Sequence, residues 1–498
     1  MLLAASAVTV GLLCTHLGVA QAADEPGTNG DTSLTTSVTP NDPFDAPSSW
    51  SEATDGDPDA ETSAEELALG ADSMAGDPTA GPGDAEDGER VGLVAERAAT
   101  CDAQVKETAT TPGAQYTACT LPLEPADELT ADEQAALAGL DASADTPATE
   151  SNTLAGVPDV GQTAPQSAAR TDADEAAASP AAADEPDPVT AAARPRAWQE
   201  PQWCIDKGVD STWYIERMRG CGIWRSEVVA VDVRTGERVG GIKYLVIGYS
   251  FSARDSKTWA YQVRLLESQR WGRAVTGTKA YGSASCVNKC KVVDKSFPSQ
   301  TISKHSEPYG QFFMSTTIDT SAAKQRGTGR SKASWRFTNP QWAGPSDAMK
   351  LATVDVRCDN ALPGAPRQVG CVNLKAVPVI RYSLNGPWPD IAKHIKDAQA
   401  QGLPGKYGTT HYLTRLTDRA KIRENRNKAC PTSLERPPGK SCDEYPFAST
   451  WQGARYGGGD FSRRMVNAQQ NEKAGKALKG FYTYARVLEG DRFLVWIA

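Results

Sequence analysis

Histidine is scarce in this chain, with four among 498 residues. His16 lies in the apolar N-terminus and His305 stands alone, which suits a surface residue. His394 falls on a helical face with no evident partner and reads as structural. His411 sits in a loop, Tyr407 to Tyr412, where a catalytic role is open to it. A zinc site is weakly supported for the same reason, because no second Cys/His pair lies near Cys286 and Cys290. Long apolar runs are also missing after residue 23, so no later segment is long enough to cross a bilayer. Residues 24 to 195 have almost no aromatics, and such a segment buries too little apolar area to offset its chain entropy. The expectation there is a long, mostly disordered acidic region. Short helices are expected at Ala60–Leu69 and at Ala131–Leu140, the latter with Thr130 as N-cap.

Residues 1–23 are apolar and end in Ala20-Gln21-Ala22-Ala23, the small-residue pattern of a secretory signal peptide, although a basic n-region is missing. Beyond this segment ten cysteines remain, and an even count in an exported chain argues for disulfides. Pairing nearest neighbours makes five bridges, but spacing does not decide connectivity. The expected location is secreted and extracellular, with no stable membrane insertion after leader cleavage.

The formal net charge of −10 hides two opposed halves. Residues 24–193 hold 36 acids and 4 bases, which leaves 26 acids and 48 bases for the rest. The basic part can bind a polyanion and the acidic part cannot. The acidic part reads as a spacer, or as a prosegment that competes with a polyanionic ligand.

From about Ala197 tryptophans appear and β-type runs follow. Val228–Val233, Gly241–Phe251, Trp259–Leu265, Ser334–Phe337 and Ala352–Arg357 are short apolar or alternating segments between turns. Residues 196–370 are therefore expected to form an all-β, disulfide-containing domain, a sandwich or barrel. No catalytic constellation is visible in it. Its lysines and arginines permit an anionic cell-wall polymer as partner, or serve solubility alone.

The remaining residues, 371–498, read as α+β. Pro389 and Asp390 open a helix that presents Ile391, Ile395 and Ala398 on one face and ends at Gly402. Thr417-Asp418 can cap a second helix that carries Arg419, Arg423 and Arg426 on one side. Then comes Cys442-Asp443-Glu444-Tyr445-Pro446-Phe447-Ala448, two adjacent acids with basic residues on both flanks. Acid amid base suits either a metal-assisted phosphodiester site or a turn whose acids pair with nearby arginines. A third helix is expected from Glu472 to Tyr484, then a buried last strand after Gly490-Asp491.

The run Leu413-Thr414-Arg415-Leu416-Thr417-Asp418, then Arg426 to Pro431, Lys440 to Thr450, Gln452-Gly453, Gln470-Asn471, Gly475, Phe481-Tyr482, Arg486 and Gly490 to Phe493 resembles the NucA/NucB family of secreted deoxyribonucleases. The resemblance implies a compact fold related to the ββα-metal (His-Me finger) nucleases, with an acid where relatives use histidine. It implies DNA as substrate and a divalent cation, Mg²⁺ or Mn²⁺. Asp443 takes the position of the general base. Glu444 orients a basic neighbour or joins the metal, and Asn471 supplies an amide oxygen to it, with Asn467 in reserve. Arg486 and Arg455 are candidates for clamping the scissile phosphate and Gln452 for contacting the substrate, while the row of Arg419, Arg423 and Arg426 fits either phosphate contacts or a solvated basic face. Family members often carry Glu-Asn and Gln-Gly where this chain has Gln470-Asn471 and Ala474-Gly475.

Strand alternation sets a condition on this site. Adjacent residues point to opposite faces, so Asp443 and Glu444 reach one ion only if the chain bends there. Pro446 makes such a bend the expectation. The rival reading is a secreted, catalytically inactive protein that binds DNA or cell wall.

Overall fold

The computed structural model describes residues 89–90, 93–95, 101–125, 128–141, 202–365 and 367–498. The leader at residues 1–23 and the helix at Ala60–Leu69 fall outside them. Among the described residues no helix is long and apolar enough to cross a membrane.

Three long strands, Arg219–Asp232, Arg238–Phe251 and Thr258–Gly272, run antiparallel as neighbours in an eight-stranded sheet. A seven-stranded sheet is organised around Arg326–Thr338, which pairs along most of its length with Lys279–Asn288. Both inner faces feed one core. Trp224, Val246 and Tyr261 come from the first sheet, and Trp335, Phe337 and Leu351 from the second. Buried aromatics with polar tips need partners, and here the tips tie the sheets together. Trp213 Nε1 donates to the Ala352 carbonyl at 2.9 Å, Trp259 Nε1 to Ser331 Oγ at 2.9 Å and the Tyr261 hydroxyl to the Leu351 carbonyl at 3.2 Å. The body is thus the cysteine-pinned β structure expected from the sequence. Its bridges join neighbours throughout: Cys101–Cys119, Cys204–Cys221, Cys286–Cys290 and Cys358–Cys371, with Cys430–Cys442 beyond it. The Cys286–Cys290 disulfide takes the place of the zinc reading.

One stretch of the acidic region corrects the expectation of disorder across 24–195, and a second is the helix expected there. Tyr116–Pro122 is a strand paired antiparallel with Arg219–Asp232, from Tyr116 opposite Asp232 to Pro122 opposite Ser226. Ala131–Asp141 is a helix, as expected, and its start is a capping box. The Thr130 amide donates to Glu133 Oε2 at 2.8 Å and the Glu133 amide to Thr130 Oγ1 at 3.2 Å. Leu137 and Leu140 pack on Leu245, Ile247 and Leu266 of the sheet. Glu133 also pairs with Arg225 at 2.6 Å, both side chains being buried. Burial pushes the Glu133 carboxyl up, but hydrogen bonds from Arg225 and Thr130 outweigh it and hold the group below its ordinary range. A depressed carboxyl contributes stability above its unfolded pKa and loses it as pH falls through the folded value. Acidification is therefore expected to loosen this helix from the body.

Truncating the chain at residue 195 would remove the buried strand Tyr116–Pro122 and expose Val229 and Val231 beneath it. Such a variant is expected to lose its near-UV circular dichroism and to aggregate. A native-like near-UV spectrum would show that the strand is dispensable.

The C-terminal elements are β1 (Val379–Tyr382), α1 (Pro389–Ala400), β2 (Leu413–Thr414), α2 (Arg419–Ala429), β3 (Lys440–Tyr445), β4 (Ser462–Asn467), α3 (Ala468–Tyr484) and β5 (Arg492–Ile497). Strand β5 lies between β1, to which it is parallel, and β2, to which it is antiparallel. Strands β3 and β4 form a separate hairpin. The sequence boundary at 371 shifts, because Gly370–Asn373 pairs with Val356–Asp359 and so belongs to the sandwich. Ile391, Ile395 and Ala398 of α1, Leu478 and Phe481 of α3, and Phe493 and Val495 of β5 share one core.

The first turn of α1 has Pro389 at its start and no cap from Trp388. Its free amide at Asp390 is taken by Gln470 Oε1 at 2.9 Å, and Asp390 Oδ2 in return accepts from the Asn467 amide at 3.0 Å. The N-termini of α1 and α3 thereby cap each other, which accounts for glutamine at position 470.

Candidate active site

The hairpin β3–β4 is regular through the acids. Asp443 lies opposite Arg464 and Glu444 opposite Arg463, with no register shift. The bend expected at the acids instead follows the strand, at the cis Tyr445–Pro446 bond. Alternation consequently sends the two side chains different ways. Glu444 Oε2 lies 3.5 Å from Cys430 Sγ. Asp443 faces α1, and its Oδ2 accepts from His394 Nδ1 at 2.6 Å. The other ring nitrogen, Nε2, is 2.9 Å from Ser462 Oγ on β4. A carboxylate only accepts, so Nδ1 carries a proton, and in the neutral ring Nε2 accepts from the serine hydroxyl.

His394 therefore has partners on both sides, contrary to the sequence reading. It is fully buried, whereas Asp443 is 9 % exposed. The aspartate alone of this pair reaches the open side. The histidine sits one turn after Ile391 on the buried face of α1, and its partner is 49 residues further along. No local spacing announces that contact. An N-terminal apolar face with one imidazole in it was the signal available.

Asn471 is in the first turn of α3 and buried. The cap of that helix is Asn467, whose Oδ1 accepts from the amides of Gln469 and Gln470 at 3.0 and 3.1 Å. The helix begins four residues before the expected start, and Asn467 is committed to capping it. Asn471 Nδ2 donates to Ser441 Oγ at 2.9 Å and to the Cys442 carbonyl at 3.3 Å. Both donors are spent on β3, and among the described residues nothing donates to its Oδ1. Asp443, Glu444 and Asn471 border one small cleft, floored by Ile391 and Phe447.

The donor set offered to a cation is oxygen only, which suits a hard ion such as Mg²⁺ or Mn²⁺. Among the described residues no group of three or more His, Cys, Asp or Glu side chains converges. An ion at this cleft would keep several waters, as Mg²⁺ commonly does.

The expected cationic cradle is only partly assembled. Arg423 and Arg455 are exposed, the Arg455 amide being held by Asn425 Oδ1 at 2.9 Å. Arg426 is buried on the inner face of α2 with Ile422, Asn425 and Ala429, so it does not share a surface row with Arg419 and Arg423. Gln452 is used internally. Its Oε1 accepts from the Thr414 amide at 2.8 Å, and its Nε2 donates to Thr414 Oγ1 at 3.2 Å. Arg464, facing Asp443 across the hairpin, pairs with Asp397 at 2.9 Å.

Arg486 departs most from expectation. It is fully buried, away from the residues that border the cleft, and bonded to the sandwich. Its Nη2 donates to Asp359 Oδ1 at 2.5 Å and its Nη1 to the Arg254 carbonyl at 2.6 Å. Arg217 and Arg357 of the sandwich cap the end of α3 from the other side. Arg217 Nε donates to the Ala485 carbonyl at 2.7 Å, and Arg357 Nη2 to the Arg486 carbonyl at 2.6 Å. The carbonyls just past the end of α3 thus find donors in the sandwich, and the Arg486 side chain donates back to it. Instead of lining the cleft, this arginine latches two parts of the fold together.

Residues 403–496 match the family described as Deoxyribonuclease NucA/NucB. No curated protein and no solved structure matches the chain. The matched segment takes in β2, α2, the β3–β4 hairpin, α3 and nearly all of β5, and leaves out α1 with His394. The C-terminal segment of this chain is a NucA/NucB deoxyribonuclease-family domain, carried behind a disulfide-bonded β-sandwich.

Proposed function

We propose that the chain is a secreted, divalent-cation-dependent endonuclease that hydrolyses DNA with little sequence preference. The observation that carries this reading is the convergence of Asp443 and Asn471 on one cleft within a segment matching a deoxyribonuclease family. The succession of hairpin and helix, with the acid on the first strand and the amide on the helix, agrees with a ββα-metal arrangement. Five disulfides fit an oxidising compartment. Nonspecificity follows from cations suited to the backbone and from the lack of a base-reading module in the sequence. The inactive binding protein and the wall-polymer partner draw no support from the fold or the family match.

Asp443 Oδ1 is the proton acceptor for the attacking water in this proposal, and His394 is the positioning residue that fixes the carboxylate by holding Oδ2. Asn471 Oδ1 would hold the cation, with Glu444 at the cleft edge reaching it through water, and the cation when bound would supply positive charge to the phosphate and the leaving oxygen. Ser441 and the Cys442 carbonyl orient the Asn471 amide so that its oxygen, not its nitrogen, is the atom offered. Asn471→Ala is expected to raise the Mn²⁺ concentration for half-maximal plasmid nicking about 10-fold or more, in the range seen when metal-site support is lost. An unchanged cation requirement would remove Asn471 from the site. The proposal as a whole is tested by nicking of supercoiled plasmid by the full chain with and without EDTA. Activity that survives chelation would overturn the cation dependence.

A further inference from the structure

Arg415 follows β2 and is 3 % exposed. Its guanidinium lies over the ring of Tyr482 of α3, with Cζ 3.6 Å from the ring centroid. Neither Nε nor Nη1 has a hydrogen-bond partner, although both are buried. Among the described residues no carboxylate pairs with it. The nearby Glu489 is already engaged, accepting from the Thr417 amide at 2.6 Å and from Trp451 Nε1 at 2.8 Å. A buried guanidinium with unmet donors is costly, and stacking on an aromatic face offsets only part of that cost. Arg415 also lines a crevice between α3 and the sandwich, whose other walls include Lys479, Tyr482, Thr483, Leu362 and Pro363. Two cationic side chains thus border one recess at the junction of sandwich and nuclease domain, away from the cleft of Asp443 and Asn471.

We propose that this crevice binds a small tetrahedral oxyanion, phosphate or sulfate, on the guanidinium of Arg415 with Lys479 beside it. The planar fork of arginine suits two oxygens of such an ion, and lysine adds a point charge. The ligand would bridge the Leu362–Pro363 turn of the sandwich and the C-terminal half of α3, the helix that carries Asn471 at its other end. The site stands apart from the nuclease reading, and its test does not use cleavage.

The measurement is thermal unfolding of the full chain in EDTA, in phosphate against chloride of matched ionic strength. At about 20 mM inorganic phosphate the wild type is expected to gain about 3 °C. Arg415→Met, which keeps an unbranched side chain over Tyr482, is expected to gain nothing from phosphate. Lys479→Met is expected to weaken phosphate about tenfold by titration calorimetry, and this arm stands if Arg415→Met fails to fold. A parallel arm uses thymidine 5′-monophosphate. A gain with inorganic phosphate alone assigns a free ion, and a gain with both assigns a monoester end; either carries the proposal. No phosphate-specific gain in the wild type overturns it, as does an equal gain in Arg415→Met or undiminished affinity in Lys479→Met.

Discussion

Asp443→Asn is expected to lower plasmid nicking about 10³-fold while leaving the melting temperature nearly unchanged. Asparagine keeps the size of the side chain and can still accept from His394 Nδ1, so the buried hydrogen bond at 2.6 Å has a replacement partner. What it cannot do is take a proton from water. The complementary variant is His394→Asn, which retains a donor near the Nδ1 position but shortens the reach to Ser462. Its expected loss is smaller, about 10- to 100-fold, because it loosens the base and leaves its chemistry intact. The reverse assignment, with His394 as base and Asp443 as its orienter, predicts that the histidine variant is the more damaged of the two. Burial argues against that assignment: the imidazole is fully buried with both nitrogens engaged, and only the aspartate borders the cleft.

Asp359→Ala is expected to destabilise the protein by about 3–5 kcal/mol, the usual cost of stranding a buried charge. Asp359 and Arg486 are both without solvent exposure and meet at 2.5 Å. Around them lie Arg217, Arg357 and Asp491, so three guanidiniums share two carboxylates, and backbone carbonyls take other donors, with Arg357 Nε left without a hydrogen bond. The cluster is already short of negative charge. Burial, and after it the neighbouring Arg357, push the Arg217 guanidinium down to about 10, which still leaves it charged at neutral pH. Removing Asp359 would leave Arg486 with backbone acceptors alone. The corresponding drop in melting temperature is about 5–8 °C for a body of this size. Arg486→Met together with Asp359→Ala should recover part of the loss, since the stranded charge is gone. If Asp359→Ala melted with the wild type, the latch would be ornamental and α3 would be held by its own core.

These two sites differ in how far they could be read from sequence. The acid pair in Cys442-Asp443-Glu444 was visible, because its neighbours form a local motif. Helix α1 was visible too, with Pro389 at its start, Ile391, Ile395 and Ala398 on its buried face and Gly402 after its end. Helix α2 likewise begins at a predicted cap, Asp418, which accepts from the Lys421 amide at 3.0 Å. Each of these signals spans a few residues. The partners of His394 and Arg486 do not. Asp443 is 49 residues from the first and Asp359 is 127 from the second. A histidine on an apolar face looks the same whether or not a carboxylate will arrive from another strand. An arginine after an apolar helix end looks like a surface cation until the sandwich covers it. The strand Tyr116–Pro122 was lost for a different reason. Its few apolar residues were averaged into a long acidic stretch, and only the waiting edge of Arg219–Asp232 makes it a strand.

The most direct check is anomalous diffraction from crystals of the full chain soaked in Mn²⁺. The account predicts a peak within coordination distance of Asn471 Oδ1, on the side of the cleft bordered by Asp443 and Glu444. An active protein whose manganese peak lay elsewhere, with Asn471 Oδ1 left to solvent, would contradict it.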